Sequence, residues 1–199
     1  MLAVVLPEPP GHGGAARPRL EELDRATLER ARARDPVALR AFVVRYQRPV
    51  FALLSRLLGH GPAVEDLAQE AFLKAFRALP AFDPAGAARP STWVLTIATR
   101  LALDARRKKR VPSVSLDDAP PVASASTPET ETARRELGHA IARAAAGLSD
   151  DMRAAFLLAD VHGFTMKEIA DALSIPESTA KTRVFRAREQ MRERLGHDT

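Results

Sequence analysis

The sequence predicts an all-α protein of two small helical domains joined by a flexible linker, the C-terminal one containing a helix-turn-helix. Three observations carry this. Beyond residue 20 apolar residues recur at helical spacing, and no stretch alternates convincingly as a strand does. Residues 111–130, VPSVSLDDAPPVASASTPET, hold four prolines and several serines and threonines, a composition that cannot build a core. Thr165 to Leu195 then reads as two helical patterns around a turn, the second basic on its outer side. At 199 residues and 46% hydrophobic content, the chain is large enough for two small cores.

Residues 1–19 are rich in Pro and Gly without lasting periodicity and read as a flexible leader. A first domain spans 20–110. Its helical pattern starts at about Leu20, with Leu23, Thr27, Leu28 and Ala31 at helical spacing, and breaks at Asp35-Pro36. The next helix, about Pro36 to Leu58, offers Leu39, Phe42, Val43, Tyr46, Val50, Phe51, Leu54 and Leu57 as a core face, with Pro49 as a possible bend and Gly59 and Gly61 as its end. A third, about Ala63 to Leu79, buries Val64, Leu67, Ala71, Phe72, Ala75 and Leu79 and gathers Asp66, Gln69, Glu70 and Arg77 on its other side. After a loop from Ala81 to Pro90, Ser91 or Thr92 is expected to cap a fourth helix. This helix points Trp93, Ile97, Leu101 and Ala105 at the core and Thr96, Thr99, Arg100, Leu103 and Arg107 outward. It ends in the densest positive run of the chain, Arg106 to Arg110.

The linker, 111–130, carries only acidic ionisable residues, Asp117, Asp118 and Glu129. A second domain, 131–199, opens with a helix from about Glu131 to Ala146. Ser149 caps the next, with Asp150 and Asp151 in its electropositive first turn. In the helix-turn-helix, Ile169, Ala170 and Leu173 of the first helix face the second, whose first turn accommodates Pro176. On the second helix Ala180, Val184, Ala187, Met191 and Leu195 form a core stripe. Opposite lie Ser178, Thr182, Phe185, Arg186 and Glu189, flanked by Lys181 and Arg188 on one side and Arg183 on the other. An aromatic ring among hydroxyl and guanidinium groups suits the major groove, where thymine methyls offer apolar contact and guanine offers paired acceptors.

Composition excludes several chemistries. With no Cys, there are no disulfides, thiolate metal sites or cysteine nucleophiles, which is compatible with a reducing cytoplasm. The apolar start Leu2 to Leu6 lacks a basic preceding region and meets Pro7, Pro9 and Pro10, so no signal peptide is expected, and no run is long enough to insert in a membrane. Glu65, Asp66 and Glu70 lack the Glu-x-x-His spacing of di-iron helices, and the His at 12, 60, 139, 162 and 197 are scattered without ligand spacing. No P-loop, dinucleotide turn or G-x-S-x-G occurs, so neither an enzyme, a metal nor a cofactor is expected. The net charge of +5 is modest, but its placement on two helical surfaces in two tethered domains points to contact with DNA at two separated places.

Four segments resemble the extracytoplasmic-function sigma factors, the small bacterial initiation factors with only the second and fourth conserved sigma regions. They are EDLAQEAF (Glu65 to Phe72), FRALPAF (Phe76 to Phe82), TWVLTIATR (Thr92 to Arg100) with Asp104 and the basic run, and LSDDMRAAFLL (Leu148 to Leu158) leading into EIADALSIP. Their order and spacing around a Pro-rich linker make the resemblance specific, and it covers nearly everything beyond residue 20. It implies that Asp66, Gln69 and Glu70 grip the clamp helices of the largest subunit of core RNA polymerase. The loop 82–91 and helix 92–107, with Phe82, Asp83, Thr96, Thr99, Arg100 and Arg107, would capture and open the minus 10 element of promoter DNA. Ser178, Lys181, Thr182, Phe185 and Arg186 would meet the minus 35 element, with Arg183 and Arg188 nearer phosphates. An anti-sigma factor is implied as a controlling partner. Four positions depart from the family pattern: Arg100 for a common Asn, Arg89-Pro90-Ser91 for an aromatic before Thr92, Ser174 for a turn Gly and Ala180 for Val. A stand-alone helix-turn-helix regulator or a helical interaction module remains the alternative; a plain regulator has no need of the Asp66 face, whereas a sigma factor needs a clamp surface.

Overall fold

Asp24 and Asp35 set the first two helices by the same device. Each lies in extended backbone and accepts from an amide three residues on, Thr27 at 2.8 Å and Ala38 at 2.9 Å. Helix α1 therefore spans Arg25–Arg32, starting later than the periodicity from Leu20 suggested, and α2 spans Pro36–Leu58 with Pro36 in its first turn. These hydrogen bonds hold both carboxyls below their ordinary range. The computed structural model describes residues 20–86, 88–110 and 144–197. The leader and the linker, 111–130, lie outside them, as does most of the helix expected over 131–146, of which residues 144–146 are helical.

Gly59, at φ 87°, ends α2 in a backbone region that costs a side-chain-bearing residue about 1 kcal/mol or more. Helix α3 follows at Pro62–Ala78, continues as a 3₁₀ turn over Leu79–Ala81, and is separated by a loop from α4, Pro90–Arg110. Phe42 is fully buried at the centre of this half. Its ring meets Tyr46 at 4.7 Å, Phe76 at 6.2 Å, Phe72 at 6.4 Å and Trp93 at 6.5 Å, mostly edge to face. Phe51, expected in the core face of α2, is 38% exposed, while Leu53 is buried. At 100° per residue Phe51 falls on the side of Val37 and Val44, both exposed, rather than with Phe42 and Tyr46.

The start of α4 differs from expectation. Ser91 and Thr92 are not its caps, because the helix begins at Pro90, whose missing N–H costs nothing there. Both hydroxyls turn inward instead. The Ser91 amide donates to Glu22 Oε2 at 3.1 Å, and the Ser91 hydroxyl donates to Glu22 Oε1. Tyr46 donates to the same Oε2 at 2.8 Å. A carboxylate from ahead of α1 thus supplies the anion favoured at a helix N-terminus and joins it to α2.

In the C-terminal half, α5 spans Asp150–Phe156, capped by Ser149 as expected, and widens into a π turn over Leu157–Val161. Helix α6, Met166–Leu173, opens with a capping box: Thr165 accepts from the Glu168 amide, and Glu168 accepts from the Thr165 amide at 2.7 Å. Helix α7, Glu177–His197, buries Ala180, Val184, Ala187 and Met191 along one stripe, as its spacing predicted. No strand occurs among the described residues. The two halves pack together, α4 against both α6 and α5, and one hydrophobic cluster runs from Leu28 through Leu95 and Ala98 to Ile169 and Val184.

Candidate nucleic-acid interface

The outer face of α7 forms because the turn before it is tightly specified. Ser174 adopts the left-handed conformation, φ 54° and ψ 49°. The Ile175 amide returns to the Ala170 carbonyl at 3.0 Å and that of Ser174 to Asp171 at 3.4 Å, a Schellman closure of α6. Ser174 thus takes the glycine conformation with a side chain. The Pro176 carbonyl accepts from Ala180 at 3.0 Å, and α7 leaves the turn with its small-residue stripe on α5 and α6.

With that stripe inside, Ser178, Lys181, Thr182, Phe185 and Arg186 are exposed, as predicted. Phe185 is 58% exposed, an apolar ring held in water among hydroxyl and charged side chains. Thr182 donates back to the Ser178 carbonyl at 3.0 Å, and Lys181 pairs with Glu177 at 3.0 Å. The flanking arginines are more constrained. Arg183 pairs with Asp151 of α5 at 3.0 Å, and Arg188 makes a two-bond pair with Asp160 in the π turn. Both bonds tie the helix to its support, a role the spacing alone did not reveal.

On α3, Asp66, Gln69 and Glu70 are all exposed on one face, with Leu73 beside them at 54% exposure; Glu70 pairs with Lys74 at 3.1 Å. In the loop before α4, Asp83 is exposed and its Oδ1 accepts from the Ala85 amide at 2.9 Å, which fixes a turn. Phe82 is buried, its ring 4.9 Å from that of Trp93. Trp93 is half-buried against the core, as its place on the apolar stripe suggested.

The outward face expected for α4 is largely covered. Thr99 is fully buried, donating to the Leu95 carbonyl at 2.8 Å, and Leu103 is buried too. Thr96 is half-buried and donates to the Thr92 carbonyl. At helical spacing these share a face with Thr92, Arg100 and Arg106, and all three of those reach the C-terminal half. Thr92 donates to Glu168 at 3.3 Å. Arg100 donates to the Asp171 and Ala172 carbonyls at 2.6 and 3.0 Å, filling acceptors left open at the end of α6. Arg106 pairs with Asp150 at 2.5 Å and donates to the Leu57 carbonyl at 3.1 Å. Arg107 stays exposed and pairs with Asp104.

Sequence reasoning missed three supports. Glu22 was hidden ahead of α1, and Asp160 carried no motif. Arg153, almost wholly buried, donates to the carbonyls of Ala145, Ala146 and Leu148 and to Leu57 at 3.5 Å. Burial lowers its pKa, with Arg106 adding to the effect, and the carbonyl cage offsets the desolvation of its charge. The signal available for it was position: an arginine on the buried side of α5. Among the described residues no three His, Asp or Glu side chains converge as metal ligands would, and no helix is long and apolar enough to cross a membrane.

A helix-turn-helix whose second helix exposes Phe185 among hydroxyl and basic side chains has the surface of a nucleic-acid-binding protein. The comparisons name the class. Residues 42–111 match the family Sigma-70 region 2 and residues 138–191 match Sigma-70, region 4. The chain is 34% identical over 176 residues to the ECF RNA polymerase sigma-E factor of Escherichia coli K12, covering 83% of this chain and 91% of that one. It is 31% identical over 187 residues to the ECF RNA polymerase sigma factor SigW of Bacillus subtilis, covering 88% and 98%. In fold it is similar to the sigma factor RpoE of Bartonella quintana, solved with the anti-sigma factor NepR, at TM-score 0.63 and 22% identity over 80% of this chain and 98% of that one. CnrH, solved with the cytosolic domain of CnrY, superposes at TM-score 0.62 with 24% identity over 88% and 99%. The chain belongs to the extracytoplasmic-function sigma factors.

Proposed function

We propose that this sigma factor divides its work between the two faces described above and the α3 surface. Asp66, Gln69 and Glu70 form the contact with core RNA polymerase. Phe185, Arg186, Lys181, Thr182 and Ser178 read the minus 35 duplex in its major groove, with Arg183 and Arg188 fixing the helix against α5 and the π turn. The Asp83 loop and the α4 residues Thr96, Arg100 and Arg107 engage the minus 10 strand, with Phe82 supporting the loop from beneath and the buried Thr99 fixing the helix behind them. The factor works in the cytoplasm, performs no catalysis of its own, and is controlled by an anti-sigma factor. A sigma factor similar in fold was solved in complex with an anti-sigma factor.

The observation that carries this reading is the co-occurrence of an exposed acidic face on α3 and an exposed Phe185 among cations on α7. A stand-alone regulator needs only the second. Binding of the purified chain to core polymerase tests the first: Asp66→Ala with Glu70→Ala should weaken association at least tenfold while leaving the helical circular dichroism unchanged. Equal affinity of the double variant would remove α3 from the polymerase contact.

A further inference from the structure

Helix α1 and the segment ahead of it hold both ends of the stretch that contains the Asp83 turn. On the near side, the Arg32 guanidinium donates to the Pro80 carbonyl at 3.2 Å, and its other amino group is fixed by Glu29 at 2.6 Å. On the far side, Glu22 accepts from the Ser91 amide at 3.1 Å and from the Ser91 hydroxyl. Tyr46 of α2 steadies this second grip, donating to Glu22 at 2.8 Å and accepting from the Leu23 amide at 3.3 Å. The two grips bridge 48 and 69 residues of chain, so neither follows from local helix geometry.

We propose that Glu22 and Arg32 are specificity-determining positioning residues: by clasping both ends of this stretch they set where the Asp83 turn and the start of α4 stand when a promoter strand is read. The inference rests on the reading of that turn and of Thr96 on α4 as contacts to the minus 10 strand. Neither Glu22 nor Arg32 touches DNA in this account; each acts through the backbone it holds.

Between the grips, the hydrogen bonds of the turn shape it without placing it on the domain. Asp83 accepts from the Ala85 amide through its side chain at 2.9 Å and from the Gly86 amide through its carbonyl at 3.1 Å. The Phe82 ring against Trp93 anchors one point. A turn free to shift at its ends adjusts to an incorrect base as well as to the correct one, and is ordered at an entropic cost by either. Held at both ends it offers one geometry, an incorrect base leaves polar groups unpaired, and discrimination is that difference of affinities. The grips differ in strength. Glu22 is a half-buried charged acceptor with three donors, whereas Arg32 donates to a single exposed carbonyl, so the larger effect belongs to Glu22.

The test uses the full chain with core RNA polymerase. Run-off transcription is compared between a promoter and copies carrying one base change in the minus 10 or in the minus 35 element. The ratio of cognate to altered rates does not depend on the fraction of folded factor, so a purely structural loss leaves it unmoved. A wrong base in a DNA site ordinarily costs roughly fivefold to a hundredfold. Glu22→Ala and Arg32→Ala should each reduce the minus 10 ratio, Glu22→Ala by about threefold or more, and leave the minus 35 ratio unchanged. Glu22→Gln, which keeps one acceptor, should restore part of the loss. Arg30→Ala, which breaks an ion pair of α1 with Asp35 away from the turn, should leave both ratios unchanged. The proposal is overturned by an unchanged minus 10 ratio in Glu22→Ala and Arg32→Ala, even with lowered melting temperatures, or by equal falls at both elements. Asp83→Ala separates the underlying reading. If it leaves the minus 10 ratio unchanged, the turn does not read the strand and the proposal falls with that reading; if it lowers the ratio while the Glu22 and Arg32 variants do not, only the clasp is lost.

Discussion

Arg188 and Asp160 form a two-bond ion pair, Nε to Oδ2 at 3.0 Å and the second amino group to Oδ1 at 3.3 Å, that fastens α7 to the π turn before the helix-turn-helix. A guanidinium so paired orients the helix, and its charge is already met by a carboxylate. Arg188→Ala should therefore lower the stability of the C-terminal half by about 1 to 3 kcal/mol in urea unfolding. It should weaken minus 35 binding without changing the salt dependence. A salt slope reduced by about one would return Arg188 to the phosphate contacts.

Arg186 and Lys181 stand on the open face and should behave differently. Replacing either with Ala is expected to cost roughly 1 to 3 kcal/mol on the cognate minus 35 duplex if the side chain reads a base edge, and far less on altered sequences. Phe185→Ala should relax discrimination at a thymine. Competition binding against single-base variants decides between base reading and uniform phosphate neutralisation.

Glu22 holds the Ser91 amide and hydroxyl and the Tyr46 hydroxyl. Glu22→Ala leaves those donors without their acceptor and should destabilise the N-terminal half by about 1 to 3 kcal/mol, with Glu22→Gln recovering part of the loss. Equal denaturation midpoints for Glu22→Ala and the unmodified chain would show that the carboxylate adds nothing.

Ser174 shows how far the sequence could be read. The turn was evident from the pattern and the departure from Gly was visible, but the strain was not, because it lies in a backbone angle. Ser174→Gly should raise stability by about 0.5 to 1 kcal/mol, and Ser174→Val should lower it, as thermal melts would reveal. The same division runs through the chain. The apolar stripe of α7, the Ser149 cap and α2 with its Gly59 terminus were legible because period and punctuation are local. Glu22 reaching Ser91, Arg153 reaching the Leu57 carbonyl and Arg100 closing the end of α6 join segments far apart in the chain. No periodicity encodes them. The outward assignment of Thr99 and Leu103 failed for this reason: a helix bearing both apolar and polar residues on its second side can be packed there as well.

His162 gives a pH signature. Burial, aided by the Arg56 charge, lowers its pKa from 6.5 to about 4, and its Nε2 has no hydrogen-bond partner. Between these values the unfolded chain binds the proton and the folded chain does not, so stability rises with pH across that window. The contribution is complete above about pH 6.5 and is lost as pH falls to about 4, at most roughly 3 kcal/mol. The caps Asp24 and Asp35, also depressed, act at lower pH, where their protonation removes stability further. His162→Leu should flatten the profile between pH 4 and 6.5; an unchanged slope would place the titration elsewhere.

Run-off transcription with added core RNA polymerase across genomic promoters measures directly whether the N-terminal and C-terminal halves read one promoter together. The expected result is transcripts from a defined promoter set sharing two spaced elements, abolished by change to either element and reduced by Arg186→Ala through the upstream one alone. Absence of promoter-directed transcripts, together with tight binding of the free chain to a duplex operator, would contradict it.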